Sequence, residues 1–583
     1  MKHNYKPSVH FLISLSLAGV LFLSSCGKEG NKPVARVGGR TITVDEFKNA
    51  FSRGKSDEVL EKSTLQEKLD FLDNMIQKEL EIVSAYQKGM QNDADVVDKV
   101  KIHEEKLIVQ QLIEHEIIDK NISESELRND YKNMGRHLQV MEIILEYPPN
   151  PKERENSIIP QKLKLLEQEI QKGVPFNKLA EKYSMETRAD LKGVAKTYKW
   201  SVFNSQDSVY ITAFSMKKGE ISRPIKTAKG IKVIQLVDDK DVSQPAYEDE
   251  KDKIKRDIVQ LRGRELEQKY YEWLDGLQKK YGTTEVEENI KTFINVVSDS
   301  SDVTKNAKEA RDLENLFTKE QIGLELIRFN DGGSITVKQL FEEISRYPSR
   351  RRPLLGSEKE LKNFLTTQIR KYVLIAEAKA QHMEKNKIVK EQLKTYTESV
   401  MQSKIVKMEV DDKIEVNEEK KKEYFEQHRD EFMLPEKREV QEILISDEKV
   451  AQDVVRRAKA GENFDKLAEK YNERNYTKKK MGNRGYIQRS MPNIGDPAFE
   501  LKAKQVAGPI KNGKKWSVIK VLDIRPAVPR SYEEAEGFID SKFRREVKDE
   551  RTKEWMDELK KNIDVTIFQN RLDNTYAELR EED

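Results

Sequence analysis

FNKLAEKYS, Phe176–Ser184, returns as FDKLAEKYN, Phe464–Asn472, at an offset of 464 − 176 = 288 residues. The match widens in both directions. VMEIIL from Val140 pairs with VQEILI from Val440, and ITVDEF from Ile42 pairs with ITVKQLF from Ile335, at offsets of 300 and 293. Downstream, EWLDGLQKKYGTTEV from Glu272 pairs with EWMDELKKNIDVTIF from Glu554. A duplicated module fixes domain organisation before any single motif is read, and here two modules of roughly 260 to 290 residues fill most of the chain.

Each copy opens with the same local chemistry. Thr43-x-x-Glu46 and Thr336-x-x-Gln339 each fit a capping box, in which the hydroxyl and the N3 side chain satisfy free backbone amides reciprocally. Phe71, Leu72, Ile76, Leu80 and Met90 align at offset 293 with Phe364, Leu365, Ile369, Val373 and Met383, and their three-to-four spacing predicts one buried helical face. The middle of each module changes character. Short strands such as Val140–Leu145 and Lys232–Val237 bracket helices near Gln161–Lys172 and Asn177–Ser184, with Gly173, Gly193, Gly219 and Gly230 as punctuation. Helix then resumes over Asp249–Tyr281 and ends in β-branched residues.

The predicted class is α+β: long helical segments flanking two small sheet domains, with the whole module duplicated. The boundaries are a signal peptide (1–25), a tether (26–33), a first helical domain (34–136), a first sheet domain (137–240), a closing helix and strand (241–295), a linker (296–323), a second helical domain (324–435), a second sheet domain (436–526), and a closing helix and tail (527–583). Each sheet domain is expected as an insertion between helical segments of its own module that pair with each other.

Lys2 and Lys6 without an acid, an apolar run over Phe11–Leu23, and Leu23-Ser24-Ser25-Cys26 make the order of a secretory signal peptide. Leu-Ser-Ser-Cys resembles the bacterial lipobox, which implies lipidation of Cys26 and a membrane contact through that lipid. Gly27 after the cysteine resembles an outer-membrane sorting signal, so the expected location is the cell envelope, at the periplasmic face of the outer membrane. The single cysteine excludes an internal disulfide, and no Cys-based metal site is available to the mature chain. Lys plus Arg (106) and Asp plus Glu (103) nearly cancel, leaving +3. Runs such as Lys478-Lys479-Lys480 therefore read as solvated faces, and no nucleic acid is expected as a partner.

KKGEISRPIKTAKGIKVIQLVD, Lys217–Asp238, resembles the C-terminal half of a parvulin (PpiC-type) domain, and REVQEILI with GNRGYI, Phe499 and KKWSVIKV is similar in the second copy. Helical arms opened by VARVGGRTITVDEF resemble those of the SurA and PrsA envelope foldases. Parvulins catalyse cis/trans isomerisation at X-Pro bonds, whose barrier is about 18–20 kcal/mol, and need no cofactor. The resemblance places the family's two pocket histidines at Glu142 and Lys232 in the first copy, and at Glu442 and Ser517 in the second. His137, five residues before Glu142, is out of step with the pocket face. The resemblance puts Phe214 and Phe499 at the proline-gripping aromatic, Val209 and Ile494 at its neighbour, and Asn483 where an acid is expected. Two readings of the phenylalanines stand side by side: peptide contact and sheet core. Glu142 either pairs with Lys232 or is an ordinary strand residue. No metal site is indicated.

Three functions follow from the resemblance. The first is a chaperone that binds unfolded or partly folded envelope polypeptides through both modules, with two contacts on one client raising avidity. The second is an active peptidyl-prolyl isomerase, against which stands the loss of both histidines in both copies. The third is a structural docking subunit of outer-membrane assembly machinery.

Overall fold

The structure is a computed structural model that describes residues 30–576, apart from 151–153, 155–157, 186–191, 299–312, 349–350 and 354. The signal peptide and Cys26 lie outside the described residues. None of the described helices is long and apolar enough to cross a membrane.

Both capping boxes form. Thr43 Oγ1 accepts from the Glu46 amide at 3.2 Å while Glu46 accepts from the Thr43 amide at 2.8 Å, and Thr336 with Gln339 repeats the exchange at 3.3 and 2.8 Å. Each box starts a short helix, Val44–Phe51 or Val337–Ser345, after a strand pair. A long helix follows in each copy, Leu65–Gln87 or Glu358–Ala380, and buries the predicted face through Leu72, Ile76 and Leu80, or through Phe364, Leu365 and Val373.

What these lobes pack against departs from the expectation. The chain divides into two compact units, one holding Gln91–Val400 and the other holding residues 30–90 with 401–576. Each repeat's opening lobe completes the other repeat. Pro33–Val37 pairs antiparallel with Val565–Ile567, with Arg36 opposite Thr566, and Glu325–Phe329 pairs with Thr283–Glu285, with Arg328 opposite Thr284. The helices agree: Leu65–Gln87 packs on Tyr532–Asn562 and Gln569–Asp573, whereas Glu358–Ala380 packs on Ala94–Ile113 and Gly263–Tyr281. Within one repeat the helices next to the sheet domain do pair, Glu124–Met134 with Tyr247–Leu261 and Glu418–Gln427 with Tyr532–Asn562, as expected, and only the opening lobes are exchanged. Both arrangements satisfy the same apolar pattern, because the two lobes carry it in the same register, so periodicity alone does not distinguish them.

The proposed linker is corrected as well. Its described ends are buried, with Val297, Leu313 and Phe317 in the core of the first unit, and 299–312 lie outside the described residues. In the second unit the fully buried Lys68 joins the chain's two ends, its Nζ donating to the carbonyls of Asp573 and Thr575 at 2.9 and 2.8 Å. Buried charge is stable only when its donors are met, as here.

The two sheet domains share one topology. In the first, the strand order is Lys196–Lys199, Arg136–Glu146, Gly230–Asp241, Ile225–Thr227, and in the second it is Asn483–Ile487, Lys437–Ile445, Lys515–Arg525, Val506–Asn512, all antiparallel. Helices cover both sheets. Ile143 and Leu145 of the first domain meet Phe176 and Leu179, and Ile443 and Ile445 of the second meet Phe464 and Leu467.

The exchange of lobes is testable by cross-linking, since directly opposed strand residues lie at disulfide spacing. With Cys26→Ser in the background, Arg36→Cys plus Thr566→Cys is expected to oxidise to an intramolecular disulfide. Arg36→Cys plus Thr284→Cys, the pair that a self-contained first repeat would bring together, is expected to stay reduced in the monomer. Non-reducing electrophoresis and mass spectrometry separate the two.

Candidate functional site

The pocket positions fall on the central strands of each sheet domain. In the first, Glu142 lies on Arg136–Glu146 with Lys232 on the neighbouring strand, and the edge strand brings Lys196 and Tyr198. Glu142 is buried. Its Oε1 accepts from Lys232 Nζ at 2.8 Å and its Oε2 from Lys196 Nζ at 2.9 Å, with the Tyr198 hydroxyl donating to Oε1 as well. Burial alone would push the Glu142 carboxyl up, but the hydrogen bonds from Lys232, Tyr198 and Lys196 outweigh it and hold it at about 2. The Tyr198 phenol is pushed up, first by burial and then by the Glu142 charge.

The second domain builds the same kind of cluster from other residues. Glu442 is fully buried, and its Oε1 accepts from Ser517 Oγ at 2.7 Å, Arg474 Nη2 at 2.9 Å and Asn512 Nδ2 at 3.3 Å. Arg484 Nε lies 3.3 Å from Oε2. Gly482, at φ +81°, lets the loop pass against the glutamate: its carbonyl accepts from the Glu442 amide at 2.9 Å, and a Cβ there would stand 2.5 Å from the Glu442 carbonyl oxygen. Both pockets thus hold one buried carboxylate, two cations and a hydroxyl where the family pattern has histidines.

The remaining predicted residues separate. Phe214, Val209 and Ile494 are core: Phe214 and Val209 pack with Leu138, Val140 and Trp200, and Ile494 packs with Val440 and Ile519. As direct peptide contacts these three are corrected to packing residues. Phe499 is half-buried and lines a cavity of 520 Å³ with Arg438, Gln488 and Arg489. Its ring lies 4.8 Å from the Arg438 guanidinium and 5.7 Å from that of Arg489. Asn483 does not enter the glutamate cluster, since its side chain donates to Glu439 at 3.0 Å and accepts from the Gly485 amide at 2.6 Å. His137 sits toward the far end of its strand, opposite Lys199 and Lys240. Among the described residues no cluster of His, Cys, Asp and Glu has the makings of a metal site.

Sequence reading missed Lys196, Tyr198, Arg474, Arg484 and Asn512. A signal existed for two of them. Arg474 stands two residues after the FDKLAEKYN repeat, and Arg484 stands two after the glycine that marks the edge strand.

The salt-bridged carboxyl gives a pH prediction. A folded value near 2 against an ordinary 4.5 makes the Glu142 cluster stabilising above pH 4.5, with the contribution lost as pH falls from about 4.5 toward 2. The difference between those two values corresponds to about 3 kcal/mol. Glu142→Gln is expected to flatten that part of the stability profile, read by urea unfolding of the first domain between pH 5 and pH 2.5.

Comparison with known proteins agrees with this geometry. The PPIC-type PPIase domain family matches residues 143–238 and again residues 416–537. The foldase protein PrsA of Caldanaerobacter subterraneus is 29% identical over 185 residues, covering 31% of this chain and 57% of that protein. PrsA 2 of Bacillus cereus is 25% identical over 271 residues, covering 43% and 85%. A parvulin-like PPIase of Rickettsia prowazekii is 31% identical over 134 residues, covering 22% and 46%. With a match in each repeat, the chain carries two PPIC-type PPIase domains and is similar to the PrsA foldases.

Proposed function

We propose that this protein is an envelope chaperone of the foldase type, which holds unfolded or partly folded polypeptides through its two modules and is tethered by a lipid on Cys26 at the periplasmic face of the outer membrane. The observation that carries this reading is the state of the two pockets. In both domains the first histidine position belongs to a buried glutamate clamped by cations, so neither domain keeps the family's pair of imidazoles. The foldase names of the relatives support a polypeptide client.

A second reading, residual isomerase activity, is favoured by one observation. The Phe499 cavity is lined by that one aromatic ring and Pro435 among polar side chains, and a proline ring packs on such an aromatic face. Isomerisation breaks no bond and requires no obligatory proton transfer, so an apolar surface with nearby donors can lower its barrier.

The two readings separate in one experiment. Soluble chain starting at Gly27 is expected to suppress aggregation of a denatured envelope client, and failure to slow that aggregation removes the chaperone reading. Any isomerisation of a short proline peptide is expected to vanish with Phe499→Ala and to survive Phe214→Ala. The latter instead destabilises the first domain by about 3–5 kcal/mol through core loss.

A further inference from the structure

The second pocket holds more positive charge than it uses. Arg474 and Arg484 both face Glu442, and among the described residues neither pairs with any other carboxylate. Two guanidinium charges therefore meet one acid. Arg474 Nε, Arg484 Nε and Arg484 Nη1 are buried and donate no hydrogen bond, and Glu442 Oε2 accepts none. A guanidinium offers five donors in a fixed fork, and a buried donor without an acceptor is costly to keep. Burial pushes the Arg484 guanidinium below its ordinary value; Glu442 opposes that and Arg474 adds to it. The first pocket differs here, because around Glu142 no buried donor is left without an acceptor among the described residues.

The surroundings give this excess a route to solvent. Tyr476 is 64% exposed, and its ring lies 5.6 Å from the Arg474 guanidinium carbon and 5.3 Å from that of Arg484. One exposed aromatic ring thus covers both cations, and an exposed side chain is free to swing on a nanosecond scale. Arg484 itself sits on Asn483–Ile487, an edge strand of the sheet, where an extended polypeptide has backbone groups to pair with.

We propose that Arg474 and Arg484, beneath Tyr476, form a subsite that takes a carboxylate of a bound polypeptide. It deepens the chaperone reading and rests on it, adding a preference for acidic clients in the second domain. Planar, bidentate guanidinium recognition fits a carboxylate, and displacement of the Tyr476 ring would expose donors now idle. The carboxylate comes from an acidic side chain or from a chain end, and the test separates these sources.

The test measures binding of three fluorescent peptides to the full-length chain in detergent: amide-capped Ala-Glu-Pro-Phe, amide-capped Ala-Gln-Pro-Phe, and Ala-Gln-Pro-Phe with a free C-terminal carboxylate. The acidic peptide is expected to bind roughly tenfold tighter than its glutamine twin at low salt, with the gap closing in ~0.5 M salt. Arg474→Gln with Arg484→Gln is expected to erase the gap. Glu442→Gln, which keeps both arginines and removes the competing acid, is expected to widen it, and decides the matter where the double variant fails to fold. Arginine-dependent preference for the free chain end instead would keep the subsite and assign it to termini. Equal binding of all three peptides, or a gap indifferent to Glu442→Gln, overturns the subsite and leaves the chaperone reading standing. Binding of none, with no suppression of client aggregation, overturns both.

Discussion

A strand of three residues makes too few hydrogen bonds to stand by itself, and in this protein each repeat's closing strand finds its edge on the other repeat. Thr566 opposite Arg36 and Thr284 opposite Arg328 are the same contact made twice, and each brings its own helices with it. Once the strands are exchanged, the long helix of each opening lobe packs against helices of the other repeat, its closing helix among them. Each sheet domain still stands on a helix pair of its own repeat, and the exchanged lobe closes the far end of that scaffold.

The sheet domains show how a pocket keeps its electrostatic character while its residues change. Lys196 and Lys232 in one, Arg474 and Arg484 in the other, hold a glutamate at the same place on the same central strand. Tyr198 and Ser517 supply the hydroxyl. The difference lies in how many donors each cation brings. An ammonium rotates to meet the acceptors it has, whereas a guanidinium presents a rigid fork and leaves donors over. Among the described residues no buried donor around Glu142 lacks an acceptor, whereas around Glu442 three do.

Much of this was legible in the sequence. The repeat exposed the domain pair, the capping boxes located both lobes, and the alignment put Glu142 beside Lys232 and Glu442 beside Ser517, pairs that the structure joins by hydrogen bonds. The exchange of lobes was not legible, because two copies with the same apolar register fit each other as well as themselves. Nor were Lys196 and Tyr198 of the first edge strand, since the residues between Tyr183 and Tyr198 share little with those between Tyr471 and Ile487 beyond a glycine. Phe214, Val209 and Ile494 carried a family position without its exposure: apolar side chains in a small domain are drawn into whichever core is nearest, and alignment does not say which face is wet.

Lys68 and its two carbonyl partners lie more than five hundred residues apart in the chain, while the other unit is one continuous stretch from Gln91 to Val400. Polypeptides emerge N-terminus first. The continuous unit can finish folding while later residues are still being made, but the lobe before Gln91 stays without its closing strand until Val565–Ile567 has appeared. The edge of Pro33–Val37 thus waits through more than five hundred residues of synthesis for its partner strand.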